Sequence, residues 1–240
     1  MAITLEAGPT VPLQGGTGNG VALSEPGGRL TDDIEIGIVQ TANESVGMNI
    51  ANGWAQITGG FSGQGTAGSD GSSITAFWRR YSGQSAGNVN DSGDHQFTTV
   101  LLLRGVRTSG NPWEAVQASS QGSATTAGSA TGLTTLTDGA FVLIITTQVN
   151  YAGSINAEYS SFANSDLASI TEALDRGEGY GIGGALGIAY GIKTTAGAVG
   201  ATTFTTATSD EKAHLVIAFA AEGAGGGGGN LPLLQAIGEA

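Results

Sequence analysis

Between residues 33 and 39 the chain alternates Ile34, Ile36 and Ile38 with Glu35, Gly37 and Val39. This two-residue period predicts a strand with one buried face, and the polar Thr31-Asp32-Asp33 before it reads as a turn. Residues 53–58 predict the next strand, residues 59–73 a glycine-rich loop, and residues 74–81 a third strand. After the polar stretch 82–93, residues 95–106 place Phe97, Thr99, Leu101 and Leu103 on one face and Val100 and Leu102 on the other. That pattern predicts a central strand covered on both sides. Residues 119–132 are small and polar, an extended edge or loop. Asp138-Gly139 then turns into the unbroken apolar run Phe141 to Ile145, a deeply buried strand. Only residues 166–176 predict a short helix. Glycines recurring through 179–191 suit close sheet packing. Residues 202–208 read as a strand with a polar face, and 214–219 as the last strand. The sum is an all-β chain folded as an antiparallel β-sandwich.

Composition agrees. The chain has 240 residues, 42 of them Gly, and only 12% are charged. Gly costs about 1 kcal/mol relative to Ala inside a helix, so long helices are disfavoured. A sandwich of this length forms one domain, here residues 1–222, followed by a Gly-rich flexible linker, 223–230, and an apolar docking tail, 231–240, with Leu231, Leu233, Leu234 and Ile237 as the residues expected to meet a neighbour. The formal charge is −12 with only 8 Lys and Arg, a balance that speaks against nucleic-acid phosphates and anionic lipid as partners. With no Cys there are no disulfides and no thiolate chemistry. The N-terminal segment lacks the pattern of a secretory signal and no apolar run reaches the roughly 20 residues of a membrane span. Work outside the cell would therefore follow lysis or incorporation into a particle.

Four landmarks carry a resemblance: Gly53-Trp54, the strand Ala76-Phe77-Trp78-Arg79-Arg80, the step Leu103-Arg104-Gly105-Val106, and the turn Asn111-Pro112-Trp113. In this order, with an alternating final strand, the chain resembles bacteriophage tail-fibre and virion-surface domains of the jelly-roll type over most of residues 1–222. The resemblance implies a jelly-roll-like sandwich exposed on a virion, acting in a tail fibre or in host attachment as a homo-oligomer, expected to be a trimer. Other virion proteins would be met through the tail, and a host surface glycan elsewhere. A capsid decoration or head-fibre protein is the alternative role, and a polysaccharide-degrading enzyme a third of lower weight.

On the third predicted strand, Trp78, Arg79 and Tyr81 are candidates for receptor contact, because aromatic faces stack on sugars and Arg donates to hydroxyls and carboxylates. Strand alternation sends one of Phe77 and Trp78 into the core, and Trp54 reads as structural. Residues 90–95 resemble a calcium loop in composition but lack the later bidentate Glu, so a turn is the better reading. His95 and His214 stand alone and read as strand-end residues rather than zinc ligands. Asp166, Glu172, Asp175 and Glu178 cluster in sequence; a glycosidase would need two of them at a defined separation across a cleft, and a charged solvated face explains them more simply. The run Gly179 to Gly184 lacks the strand, helix and acidic residue of a dinucleotide loop. No catalytic residue, cofactor or metal is expected.

Overall fold

The computed structural model describes residues 2–10, 13–16, 20–48, 52–90, 95–149, 158–178 and 184–223. Two antiparallel sheets pack face to face. The first contains β1 (Thr4–Ala7), β2 (Leu13–Gly16), β4 (Ile34–Thr41), β5 (Ala55–Gln64), β6 (Ser72–Arg80) and β8 (His95–Arg104), in the order β1-β8-β4-β6-β5, with β2 also on β8. The second contains β9 (Trp113–Ala130), β11 (Ala140–Gln148), β12 (Tyr159–Ala163), β13 (Ala168–Glu178), β14 (Gly184–Lys193) and β16 (Thr202–Phe219). Its order is β12-β16-β11-β14-β13, with β9 also on β16. Two short ribbons, β3 (Val21–Ala22) with β7 (Asn88–Val89) and β10 (Thr134–Thr135) with β15 (Gly197–Ala198), complete the strands of the described residues.

The two halves repeat one topology. In each, a long buried strand (β4 or β11) lies between the last two strands of its sheet (β6 and β8, or β14 and β16), and an earlier strand (β1 or β9) flanks the last. Register repeats too. Ile36 lies opposite Trp78 and Leu101, and Leu143 opposite Tyr190 and Ile217. Each long strand follows a left-handed turn residue, Asp32 at φ 73° and Gly139 at φ 72°, with the first inward side chain two positions later. Each sheet is thus drawn from one contiguous half of the chain. The expected antiparallel β-sandwich is present, and its strand order adds no support for a jelly roll in particular, in which successive strands alternate between the two sheets.

Three apolar layers follow from the alternation. Between the sheets, Ile34, Ile36, Ile38, Leu101 and Leu103 meet Phe141, Leu143, Ile145, Ile217 and Phe219. Outside the first sheet, Val39, Phe77 and Val100 are roofed by Leu23, Met48, Trp54 and Val89. Outside the second, Val142, Ile144 and Val216 are roofed by Tyr159, Leu167, Val199 and Phe204. This is why β4 and β11 are buried along their whole length, as the unbroken run Phe141 to Ile145 anticipates. Gly37 makes the first roof possible, since a Cβ there would lie 2.6 Å from Met48 Cε and 3.1 Å from the Trp54 ring. Gly37→Ala is expected to cost about 1–3 kcal/mol through overpacking. Denaturant titration of the variant with and without Met48→Ala should show less than additive losses, because truncating Met48 frees the space.

Three local expectations change. The predicted helix 166–176 is instead a turn at Asp166 leading into the edge strand β13, which starts at Ala168. The β-branched Ile170 and Thr171 suit the sheet, and pairing with β14 outweighs the helix-like spacing of the acidic residues. The predicted loop 59–73 is shorter, because β5 runs on to Gln64 through an irregularity between Gln56 and Phe61 that contains Gly59 at φ 76°. Residues 119–132 are mostly the second part of the long strand β9. Its far partner across the sandwich is β5, where Ser62 Oγ donates to the Ser119 carbonyl at 2.7 Å.

Candidate functional site

The strand β6 places its three candidate residues in different settings. Arg79 is 1% exposed, on the outer face of the first sheet beneath the roof. Its Nε donates to Glu35, which is also fully buried, and Nη1 donates to the Asn52 carbonyl at 3.1 Å and to the Ser85 carbonyl. The guanidinium stacks on Trp54 at 4.7 Å, and the Trp54 indole donates to the Ala86 carbonyl at 2.6 Å. Arg79 is therefore withdrawn as a receptor contact: burial among these partners keeps it from any large ligand. Trp78 faces the opposite way, half-buried against the inter-sheet core and edge-on to Trp113 at 5.4 Å. Tyr81 is half-buried under Arg29, whose guanidinium lies 4.6 Å from its ring. The strand brings no joint surface out of these three residues.

Charged side chains are used as internal braces elsewhere as well. Arg104 grips Asp33 with two donors at 2.9 and 2.7 Å and reaches the Gly28 carbonyl at 3.0 Å, tying the turn before β4 to the end of β8. A bidentate pair of this kind fixes geometry as well as adding energy. Among the acidic residues of β13, Asp175 is buried and accepts the backbone N–H groups of Glu158 and Tyr159, both at 3.0 Å. Burial raises its carboxyl above the ordinary Asp range despite those donors, and burial also raises Glu172. Asp166 caps Gly200 N–H at 2.8 Å at the other end of the strand. The cluster legible in sequence is thereby split between bracing and surface.

His214 is a correction: it lies inside β16 rather than at a strand end, with no exposed surface. Its Nε2 donates to Gln121 Oε1 at 3.1 Å, an oxygen that also accepts from Ser129 N–H, so Nδ1 is left to accept the Thr146 hydroxyl at 3.0 Å. In the neutral ring both nitrogens are thereby satisfied. Desolvation, with Lys212 nearby, pushes its pKa from 6.5 down to about 3. Sequence reasoning missed this brace, although the phase of Leu215, Ile217 and Phe219 extended backwards does show that His214 shares a face with Val216.

At one end of the sandwich the two halves are stitched together. Val106 bridges Ala221, Arg107 N–H donates to the Ala220 carbonyl at 3.0 Å, and Ala220 N–H donates to the Pro112 carbonyl at 3.2 Å. Two depressions flank this seam. One of about 150 Å³ is lined by Leu30, Asp33, Arg104 and Glu222, and one of about 320 Å³ by Arg107, Asn111, Trp113, Glu114 and Leu136. Leu30 at 57% and Leu136 at 61% exposure are the most exposed large apolar side chains among the described residues.

The expected docking residues Leu231, Leu233, Leu234 and Ile237 lie outside the described residues, as do residues 91–94 of the calcium-like loop and 179–183 of the glycine-rich run. Among the described residues no group of three or more His, Asp or Glu side chains is placed to hold a metal ion. Compared with known proteins, the chain matches no family model, no curated sequence and no solved structure.

Proposed function

We propose that this chain is a structural protein of a bacteriophage particle, displayed on its surface as a tail-fibre or receptor-binding element and assembled as a homotrimer. The observation that carries the reading is the use made of its few charged and aromatic side chains. Arg79, Glu35, Arg104, Asp33, Asp175 and His214 brace the sandwich from within. The four landmarks of the phage resemblance fall on the same braces: Trp54 stacks on Arg79, Trp78 packs on Trp113, and Arg104 holds the turn before β4. What such a body offers outward is Gly-, Ser- and Thr-rich surface such as that of β5 and the later part of β9. Binding then works through area and repetition: weak contacts on several linked copies add up without a deep pocket.

The test is immunogold labelling of intact particles with an antibody to the chain, paired with adsorption of the purified chain to host cells. Label on the tail, and blocking of phage adsorption by the free chain, is the expected result. Label on the head shell would replace the tail-fibre role by decoration. Unlabelled particles would overturn the virion reading itself.

A further inference from the structure

The seam between the halves is also where the described chain ends. Glu222 N–H donates to the Gly105 carbonyl at 2.7 Å and Glu222 lines the smaller depression, while Ala220 is hydrogen-bonded to both Arg107 and Pro112 on the rim of the larger one. Whatever follows Gly223 therefore sets out from between the two depressions. The larger presents Leu136 beside Trp113, and its wall is braced by Arg107, whose Nη2 donates to the Trp113 carbonyl at 2.7 Å.

The sequence beyond Gly223 matches that surface. Five of the seven residues 224–230 are Gly, and Leu231, Leu233, Leu234 and Ile237 follow within a stretch whose one charged side chain is Glu239. An apolar, nearly neutral strip meets no repulsion from a body of net charge −12. Seven Gly-rich residues have a root-mean-square span of about 15 Å, which suits a partner site beside the exit point. A short flexible tether holds its cargo at an effective concentration on the order of millimolar, so even a weak apolar contact is filled from the same chain before a neighbour can compete.

The geometry points to the depression lined by Leu136, Trp113 and Arg107 as the docking site of this chain's own segment 231–237, a self-capping arrangement that covers the exposed leucine of the seam. It differs from docking in a neighbouring copy, the role that the sequence alone puts forward for these residues, and it does not depend on the virion role. A capped seam leaves the edges and loops of the sandwich as the surfaces through which copies or partners meet.

The absence of Cys makes the test clean. In the full chain, Leu136→Cys is combined with Leu233→Cys, and Leu30→Cys with Leu233→Cys as the reference, since Leu30 lines the other depression beside the same exit. On mild oxidation the Leu136 pair is expected to close an intramolecular disulfide about tenfold faster than the Leu30 pair, the gain in effective concentration from docking. Removing residues 224–240 should shift the Trp113 indole N–H resonance, leave that of Trp54 in place, and leave the oligomeric state by light scattering unchanged. The fourfold change of Leu231, Leu233, Leu234 and Ile237 to Ser should reproduce the shift. Equal rates for the two pairs would mean an untargeted tether and overturn the proposal. Disulfide-linked dimers, or an oligomer that truncation dissolves, would overturn it in favour of docking on a second copy. Either failure leaves the immunogold result untouched.

Discussion

Arg79→Met should destabilise the protein by about 3–5 kcal/mol, because it strands the fully buried Glu35 without its principal cation. Among the described residues Arg29 is the cation that remains near that carboxylate, its Nη1 3.6 Å from Oε1, and Arg29 is already held by Glu25. Changing both members, Arg79→Met with Glu35→Leu, should recover most of the loss, since replacing a buried ion pair by apolar residues of similar size is often neutral or stabilising. Urea midpoints of the wild type, the two single variants and the double variant form the cycle that measures this. If the single variants lose no more than a surface substitution, Glu35 and Arg79 are solvated and the brace is wrong. Trp54 should report the same event through its fluorescence, because the guanidinium that covers its ring is gone.

Acid is expected to weaken the fold through His214. The unfolded chain takes up a proton near the ordinary pKa of 6.5, while the folded imidazole resists until about pH 3. The unfolded state therefore binds more protons in that interval, and stability that is complete above pH 6.5 is lost as pH falls towards 3. The full loss is about 5 kcal/mol. Asp175 and Glu172 act with the opposite sign: their carboxyls are raised in the folded state, so protonation in the carboxylate range returns part of the loss. Denaturation midpoints measured from pH 7.5 to pH 4 should fall for the wild type and fall much less for His214→Gln. Parallel curves would show that the imidazole titrates freely in the folded protein.

Both effects come from the same cause. A sheet roofed on its outer face has no solvated side, so a polar residue pointing outward along the strand is as buried as one pointing inward. Glu35 alternates with Ile34 and Ile36 and reads in sequence as the wet side of a half-buried strand, yet it is fully buried. Trp54, Met48 and Val89 reach that face from distant parts of the chain, and nothing in the local period of β4 announces them.

The sequence by itself determined the strand character of the chain and most of its inner face. Ile34 to Ile38, Leu101 with Leu103, Phe141 to Ile145 and Leu215 to Phe219 are core by period or by unbroken apolarity, and they are core in the structure. Turn chemistry was legible too, since Asp32 and Gly139 stand at left-handed positions that Asp tolerates and Gly favours. Tertiary structure alone decided the rest. Residues 168–176 became a strand because the free edge of β14 was there to pair with them. Arg79 left the surface because Glu35 lies directly opposite it across the β4–β6 ladder. The repeated topology of the two halves stayed hidden because few positions need to match: an inward site accepts Trp78 in one half and Tyr190 in the other, or Leu101 and Ile217. Local period fixes which way a side chain points. What it then meets is set by chain segments far away in sequence, and that is where burial, charge pairing and the placing of the seam beside Leu136 were decided.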